Sequence, residues 1–127
     1  MEIVDRDAQS YEAVMRAYKL PKSTDAEQTA RRQAIESASK EASLVPLTTA
    51  ELAVAVAKEL HGLEGITIVQ AASDLRVGID LAETARRGGI ENVRANLPGV
   101  QDEIWTRDVQ ARLRIVDKGL LGAKEEK

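Results

Sequence analysis

The amino-acid sequence predicts an all-α protein, an antiparallel bundle of about five helices forming one domain over residues 1–127. Three observations support this fold class. Apolar residues recur at spacings of three and four through most of the chain. A length of 127 residues suits one domain and leaves little room for a second core. The one strand-like run, residues 65–73, has no second segment with which to pair its backbone.

The first helix is predicted over residues 3–19. Its apolar side chains fall on one face, which comprises Val4, Ala8, Tyr11, Met15 and Tyr18. Leu20 ends the helix, because a residue that precedes proline is pushed out of the helical region. Thr24 and Glu27 then have the spacing of a capping box, so a second helix is expected from about Asp25.

The middle of the chain predicts two helices separated near Pro46. The first of them has an alanine at every fourth position, namely Ala30, Ala34, Ala38 and Ala42. This stripe, with Ile35 and Val45 beside it, predicts a close-contact face. Pro46 removes a helical hydrogen bond and is expected to kink or interrupt the helix. Thr48 and Glu51 offer another capping box, which predicts a third helix over residues 48–60. Its apolar face is marked by Leu52, Val56 and Leu60 and widened by Ala53, Val54 and Ala57.

The last third of the chain predicts two further helices. Residues 66–70 are interpreted as a loop or helix entry, and Ser73 as the cap of a fourth helix. Gly88–Gly89 should weaken or bend that helix, which ends at Leu97 before Pro98. A fifth helix over residues 100–121 carries a core face, namely Ile104 or Trp105, Val109, Leu113, Val116 and Leu120.

Composition excludes several function classes. A net charge of −3, from 18 basic and 21 acidic residues, argues against a general nucleic-acid binder. The chain has no cysteine, so disulfides, thiolate metal sites and cysteine nucleophiles are excluded, and one histidine cannot build a multi-histidine metal site. No apolar run reaches about 18 residues, and the acidic, polar start is unlike a signal peptide. We therefore expect a cytoplasmic protein with no metal and no membrane contact.

Three pairs of polar residues are candidates for a site, and each also has a purely structural interpretation. Lys19 and Lys22, beside a helix start, suit a carboxylate or phosphate, or are solvated surface lysines. Ser73–Asp74 suits proton handling or cation stabilisation, or caps a helix. Asn92 and Asn96, one turn apart, suit hydrogen bonds to a heterocycle or a polar contact between helices.

Three blocks of sequence resemble a known family. AYKLPK at residues 17–22, ASLVPL at residues 42–47 and SDL at residues 73–75, in this order and spacing, resemble the cyclodeaminase/cyclohydrolase family. That family includes the cyclodeaminase domain of formiminotransferase-cyclodeaminase and bacterial methenyltetrahydrofolate cyclohydrolases. The resemblance runs from about Val4 to Leu97, and the last helix matches only in character.

The resemblance implies a homodimeric or larger helical assembly that acts on tetrahydrofolate adducts, with no cofactor besides the folate substrate. Cyclodeaminases are lyases that convert the 5-formimino form to the 5,10-methenyl form with release of ammonia. Cyclohydrolases are hydrolases that interconvert the methenyl and 10-formyl forms. On the matching positions, Lys19 and Lys22 are candidates for the anionic glutamate tail and Asp74 for the cation or proton. Ser73, Asn92 and Asn96 remain candidates for substrate binding.

The chain also departs from the family pattern. Family members begin with a proline- and glycine-rich loop and a long, small-residue apolar helix, and this chain starts after both. It resembles the C-terminal part of a cyclodeaminase domain, so a second chain or a second copy is expected to supply the rest. Two alternatives therefore stay open: a non-catalytic helical interaction module, and a small-molecule or anion-binding protein that uses the Lys19/Lys22 corner.

Overall fold

The computed structural model describes residues 2–125, with side chains described for residues 2–119. Four α-helices occupy this range: α1 (Glu2–Tyr18), α2 (Asp25–Gly62), α3 (Ala72–Asn96) and α4 (Glu103–Glu125). Two short 3₁₀ turns, Val69–Ala71 and Leu97–Gly99, precede and follow α3. The described residues contain no strand, which confirms the all-α class. The predicted core position Leu120 lies outside the described side chains.

α2 is the scaffold on which the other helices pack. Arg6 of α1 lies 3.8 Å from Glu41, whereas Arg31, near the start of α2, bonds the carbonyl of Tyr18 at the end of α1. The two helices therefore run antiparallel. α3 is also antiparallel to α2, since Gly78 lies against Leu60 and Gly89 against Ala50. This confirms an antiparallel bundle joined by short connections.

α4 runs parallel to α2 and closes the bundle. Asp102, the residue directly before α4, bonds Lys40, and farther along Arg112 bonds Glu51. The core lies between α2, α3 and α4 and consists of Leu47, Ala50, Ile90, Val93, Val109, Leu113 and Val116, with Trp105 packed against it. The predicted face of the last helix is confirmed at its described positions, with Trp105 rather than the exposed Ile104 as its first member.

Pro46 does not end a helix, so the predicted count of five helices is corrected to four. The second and third predicted helices are one helix of 38 residues. Pro46 is buried and its carbonyl oxygen lies against Gly89 of α3, so packing against α3 offsets the hydrogen bond that proline forfeits. Thr48, predicted to be a cap, is an interior residue of α2, and Glu51 pairs with Arg112. A bend of the axis at Pro46 stays a prediction.

Gly89 allows α3 to cross α2 at close range. A Cβ atom added there would lie 2.7 Å from the carbonyl oxygen of Pro46 and 2.8 Å from the Cβ of Ala50. Among the described residues, nothing lies within 4 Å of such an atom at neighbouring Gly88. The Gly88–Gly89 pair, expected to weaken the helix, lies inside a continuous α3, and its second member is required by packing.

The large residues of two predicted apolar faces are exposed. On α1 the side chains of Ser10 and Ala17 are buried, whereas the predicted Val4, Ala8, Tyr11, Met15 and Tyr18 face is open, with Tyr11 65% exposed. On α2 the predicted Leu52 and Val56 are exposed, whereas Ala53 and Ala57, which widen the predicted face, are buried, as is Ala50. Helical spacing alone did not distinguish these faces, because small residues that pack closely carry a weaker apolar signal than the large residues beside them.

The alanine stripe of α2 packs against α1. Ala42 is buried, and Ala34 and Ala38 line a groove of about 480 Å³ together with Ala13 and Ala17 of α1. Ala30, the first member of the predicted stripe, is exposed. Within the described residues, none of the helices has the length and apolarity needed to span a membrane.

Charged side chains hold α4 at three heights: Asp102 with Lys40, Arg112 with Glu51, and Asp117 with Arg86. Lys40 bonds Asp102 at 2.9 Å and lies 5.8 Å from the Trp105 ring centre. Acceptance from the Trp105 backbone N–H and from Lys40 lowers the pKa of Asp102. Arg86, only 6% exposed, bonds Glu83 and reaches Asp117 of α4 at 2.9 Å. Those two carboxylates raise the pKa of Arg86, so its guanidinium keeps its charge.

Candidate functional site

The corner between α1 and α2 is built as the sequence predicts. The backbone N–H groups of Lys19 and Leu20 bond carbonyls of the last turn of α1, which ends that helix before Pro21. Thr24 caps α2, because its hydroxyl accepts from the N–H of Glu27 at 3.1 Å. The carboxylate of Glu27 accepts from the N–H of Ser23 at 3.0 Å. These bonds fix the path of the chain into α2.

A cavity of about 310 Å³ opens at this corner and is lined by Lys22, Gln28, Arg31 and Arg32. Three of these side chains are cationic, and none of the described lining residues is acidic. The Gln28 amide donates to the carbonyl of Lys22 at 3.2 Å and ties the loop to the first turns of α2. The corner is therefore a positively charged recess on a fixed backbone.

Arg31 is held in place by α1. Its Nε and one terminal nitrogen donate to the carbonyl oxygen of Tyr18 at 3.3 and 3.2 Å. Its guanidinium also lies 5.6 Å from the centre of the Tyr18 ring. An arginine fixed at two points loses little conformational freedom when a ligand binds, so it is suited to orient an anion.

The structure supports one of the two predicted lysines as a cavity residue and adds two arginines. Lys22 lines the cavity, whereas Lys19 is exposed and is not among its lining residues. Arg31 and Arg32 were missed by the sequence reasoning. Their signal is present: Gln28, Arg31 and Arg32 follow the capping box at helical spacings of three and four, which places them on the same face as the loop.

Ser73 and Asp74 lie at the opposite end of α2 from this cavity. The predicted capping role of Ser73 is wrong, because α3 begins at Ala72 and its cap, Ala71, makes no side-chain hydrogen bond. The preceding 3₁₀ turn enters the helix directly and leaves Ser73 within its first turn. Both side chains are exposed. A helix of 38 residues is about 57 Å long, so in one chain Asp74 and the cavity lie far apart.

Asn92 and Asn96 occupy a third position, near the middle of α2. Asn96 donates to the backbone carbonyl of Asn92 at 3.0 Å, and the following turn packs Gly99 against Ser39 of α2. Asn92 is exposed and Asn96 half-buried. The sequence-predicted residues thus form three separate groups along one chain. Within the part of the chain that the structure describes, no cluster of acidic, histidine or cysteine side chains could hold a metal ion.

Comparison with known proteins identifies relatives of this chain. The family described as Formiminotransferase-cyclodeaminase matches residues 1–115. The formimidoyltransferase-cyclodeaminase of Sus scrofa is 33% identical over 111 residues, which are 87% of this chain and 20% of that protein. The protein of the same name from Gallus gallus is 33% identical over 122 residues, 95% of this chain and 23% of the relative.

A shorter relative is also similar. The methenyltetrahydrofolate cyclohydrolase of Methylorubrum extorquens is 33% identical over 106 residues, which cover 80% of this chain and 49% of that protein. The chain thus spans between a fifth and a half of the length of these relatives. Since the family match covers nearly all of the chain and includes the three blocks that first indicated the resemblance, this protein belongs to the formiminotransferase-cyclodeaminase family.

Proposed function

We propose that this protein takes part in tetrahydrofolate one-carbon chemistry of the cyclodeaminase or cyclohydrolase type. Family membership and the names of its relatives support this class of function. The observation within the structure that carries the proposal is the cationic cavity of Lys22, Arg31 and Arg32. The glutamate tail of a folate ends in two carboxylates, which such a recess would bind through charge-assisted hydrogen bonds.

The reaction also needs a proton donor or acceptor. In cyclodeamination N10 attacks the formimino carbon, and the departing nitrogen must take up a proton before it leaves as ammonia. In the cyclohydrolase reaction water adds to the methenyl carbon and a proton is released. We propose Asp74, in the first turn of α3, for this role, with Ser73 beside it and the amides of Asn92 and Asn96 for the heterocycle.

These roles require more than one chain. A single folate is much shorter than the separation of about 57 Å between the two ends of α2. The cationic cavity and Asp74 can therefore contact the same substrate only if they belong to two neighbouring molecules. We therefore propose a homodimer or larger homo-oligomer, with a different second chain as the alternative partner. The chain has no cysteine and needs no oxidising compartment, and we propose the cytoplasm as its location.

A calorimetric titration with 5-formyltetrahydrofolate, a stable folate, tests the tail site. Arg32→Ala and Lys22→Ala should each weaken binding about tenfold or more, because each removes a charge-assisted contact. Lys19→Ala should have a smaller effect, since Lys19 lies outside the cavity lining. Lys58→Ala, an exposed lysine elsewhere on α2, is the matched control. Equal affinities in all four variants, or no binding by the natural chain, would refute the corner as the tail site.

Turnover separates the remaining possibilities. Formation or loss of methenyltetrahydrofolate, followed by its absorbance, should occur with one of the two substrates and fall sharply in Asp74→Asn. Folate binding without turnover of either substrate would assign the chain to ligand binding alone. The exposed apolar faces of α1 and α2 favour a non-catalytic interaction module as the second candidate function, and a stable assembly that binds no folate would support it.

A further inference from the structure

A second cleft lies between α3 and α4 and shares no described lining residue with the corner cavity. It has a volume of about 360 Å³, near the lower limit of pockets that bind small molecules. Its described lining residues are Arg94, Leu97, Gln110, Leu113, Arg114 and Asp117. We call it the α3–α4 cleft. Because these helices run antiparallel, the end of α3 lies beside the middle of α4, and both helices contribute side chains to one recess.

The floor of the cleft is apolar. Leu113 is only 5% exposed and belongs to the core, and the half-buried Leu97 packs against the same core. An apolar ligand group that covers these side chains is removed from water, which is favourable. The rigid packing below them means that the floor is present before any ligand arrives. This part of the cleft therefore favours the hydrocarbon body of a small molecule.

The rim carries two arginines, one from each helix. Arg94 belongs to α3, whereas Arg114 lies on α4, one turn after Gln110. Within the part of the chain that the structure describes, the Arg114 side chain has neither an ion pair nor a hydrogen bond. Arg94 bonds Glu91 at 2.7 Å, but both side chains are more than half exposed, and such pairs contribute little. Both guanidinium groups are therefore available to an anion.

One carboxylate on the rim limits the charge that the cleft accepts. Asp117 accepts from Arg86 at 2.9 Å, and Arg86 also bonds Glu83, so this arginine is shared between two carboxylates. Two arginines and one aspartate leave the described rim with a single excess positive charge. A ligand with one negative charge matches that balance, whereas a polyanion would bring surplus negative charge beside Asp117.

We propose that the α3–α4 cleft binds a small organic monocarboxylate with an apolar body. The body lies on Leu97 and Leu113, and the carboxylate is held by Arg94 and Arg114. A guanidinium binds a carboxylate through paired hydrogen bonds, and the Gln110 amide is a further donor. The cleft contains none of the residues assigned to the folate reaction, so this second ligand site does not rest on the proposed function.

Titration with 3-phenylpropionate, followed by two-dimensional nitrogen–proton NMR, tests the site. The largest saturable changes should fall on backbone amides of residues 94–97 and 110–117 rather than on residues 22–32 at the corner. Two matched molecules separate the contributions, since acetate lacks the apolar body and 3-phenylpropanol lacks the charge. Each should bind at least about tenfold more weakly than 3-phenylpropionate.

Removal of one charge tests the anchor. Arg114→Gln should weaken the binding of 3-phenylpropionate about tenfold or more, because it removes a charge-assisted contact. Arg76→Gln is the matched control, since Arg76 is an exposed arginine on α3, 18 residues before Arg94, and should leave the affinity unchanged. Both variants should keep the urea midpoint of the natural chain, because both arginines are exposed. Weaker binding by a chain of unchanged stability then reports on the cleft itself.

Four results would overturn the site. The natural chain shows no saturable change, the changes are centred on residues 22–32, or Arg114→Gln binds as tightly as the natural chain. In the fourth, acetate binds as tightly as 3-phenylpropionate, which would show that the apolar floor contributes nothing. Folate binding at the corner is read from different residues and different variants, so each of the two sites stands or fails by itself.

Discussion

Replacement of Gly89 by alanine tests the closest contact in the bundle. Gly89 is where α3 crosses α2, and the added methyl group would lie 2.7 Å from the carbonyl oxygen of Pro46 and 2.8 Å from the Cβ of Ala50. Both distances are shorter than the closest contacts that a Cβ atom normally makes, and the Pro46 carbonyl belongs to the backbone and cannot turn aside. The two helices must therefore move apart to accept a single methyl group.

The expected change in unfolding free energy is the sum of two opposing contributions. Alanine is favoured over glycine inside a helix by about 1 kcal/mol, which applies equally to Gly88 and Gly89. At Gly88 no described atom lies within 4 Å of an added methyl group, so Gly88→Ala should stabilise the protein by about 0.5–1 kcal/mol. At Gly89 the overlap should cost about 1–3 kcal/mol. Since the helix contribution is common to both, the two variants should differ by that overlap cost, about 1–3 kcal/mol.

The assay is urea unfolding followed by far-ultraviolet circular dichroism. Gly88 is exposed, so both variants are measured at two protein concentrations, which detects any contribution from self-association. The expected order of unfolding free energy is Gly88→Ala, then the parent, then Gly89→Ala. A Gly89→Ala chain as stable as Gly88→Ala would show that α2 and α3 do not approach this closely and would refute the packing argument.

Three further outcomes follow from other contacts. Asp102→Asn should reduce the loss of stability in acid, because the folded state lowers the pKa of Asp102. The stability that the Asp102 carboxylate contributes is complete above its ordinary pKa of about 4 and is lost as the pH falls through its folded pKa. Urea midpoints across that pH range measure the loss, and the same pH dependence in the variant and the natural chain would contradict the prediction. Arg86→Met should cost about 1–3 kcal/mol of unfolding free energy, because it removes the guanidinium that bonds both Glu83 and Asp117; a neutral result would show that these two ion pairs contribute nothing. Leu47→Ala should cost about 2–5 kcal/mol at a fully buried position, and a loss below 1 kcal/mol would place the core elsewhere.

The sequence was sufficient to predict those helix ends that are determined by hydrogen bonds between residues close in sequence. The Thr24–Glu27 spacing predicted the start of α2 because hydroxyl and carboxylate satisfy backbone groups a few residues away. Pro21 predicted the corner because it restricts the backbone of the residue directly before it. The Thr48–Glu51 spacing has an identical pattern, yet Thr48 lies inside a helix. What differs is the burial of Pro46 against α3, a contact between residues far apart in sequence.

The candidate site was predictable only in part. Lys22 was identified from its place beside a helix start, and the family resemblance directed attention to it. Arg31 was missed because its role depends on the carbonyl of Tyr18, 13 residues earlier, which only the folded corner brings within reach. Asp74 was placed in a first helical turn correctly, but its distance from the corner depends on α2 remaining one helix through Pro46.

The attachment of α4 has a consequence for how the bundle responds to its surroundings. Apolar contacts of α4 are concentrated at Val109, Leu113 and Val116, whereas its first turn is tied to α2 through Asp102 and Lys40. Added electrolyte weakens the charged attachment and leaves the apolar one largely intact. Amide hydrogens at the beginning of α4 should therefore exchange with deuterated solvent sooner as ionic strength rises, while those around Leu113 keep their protection.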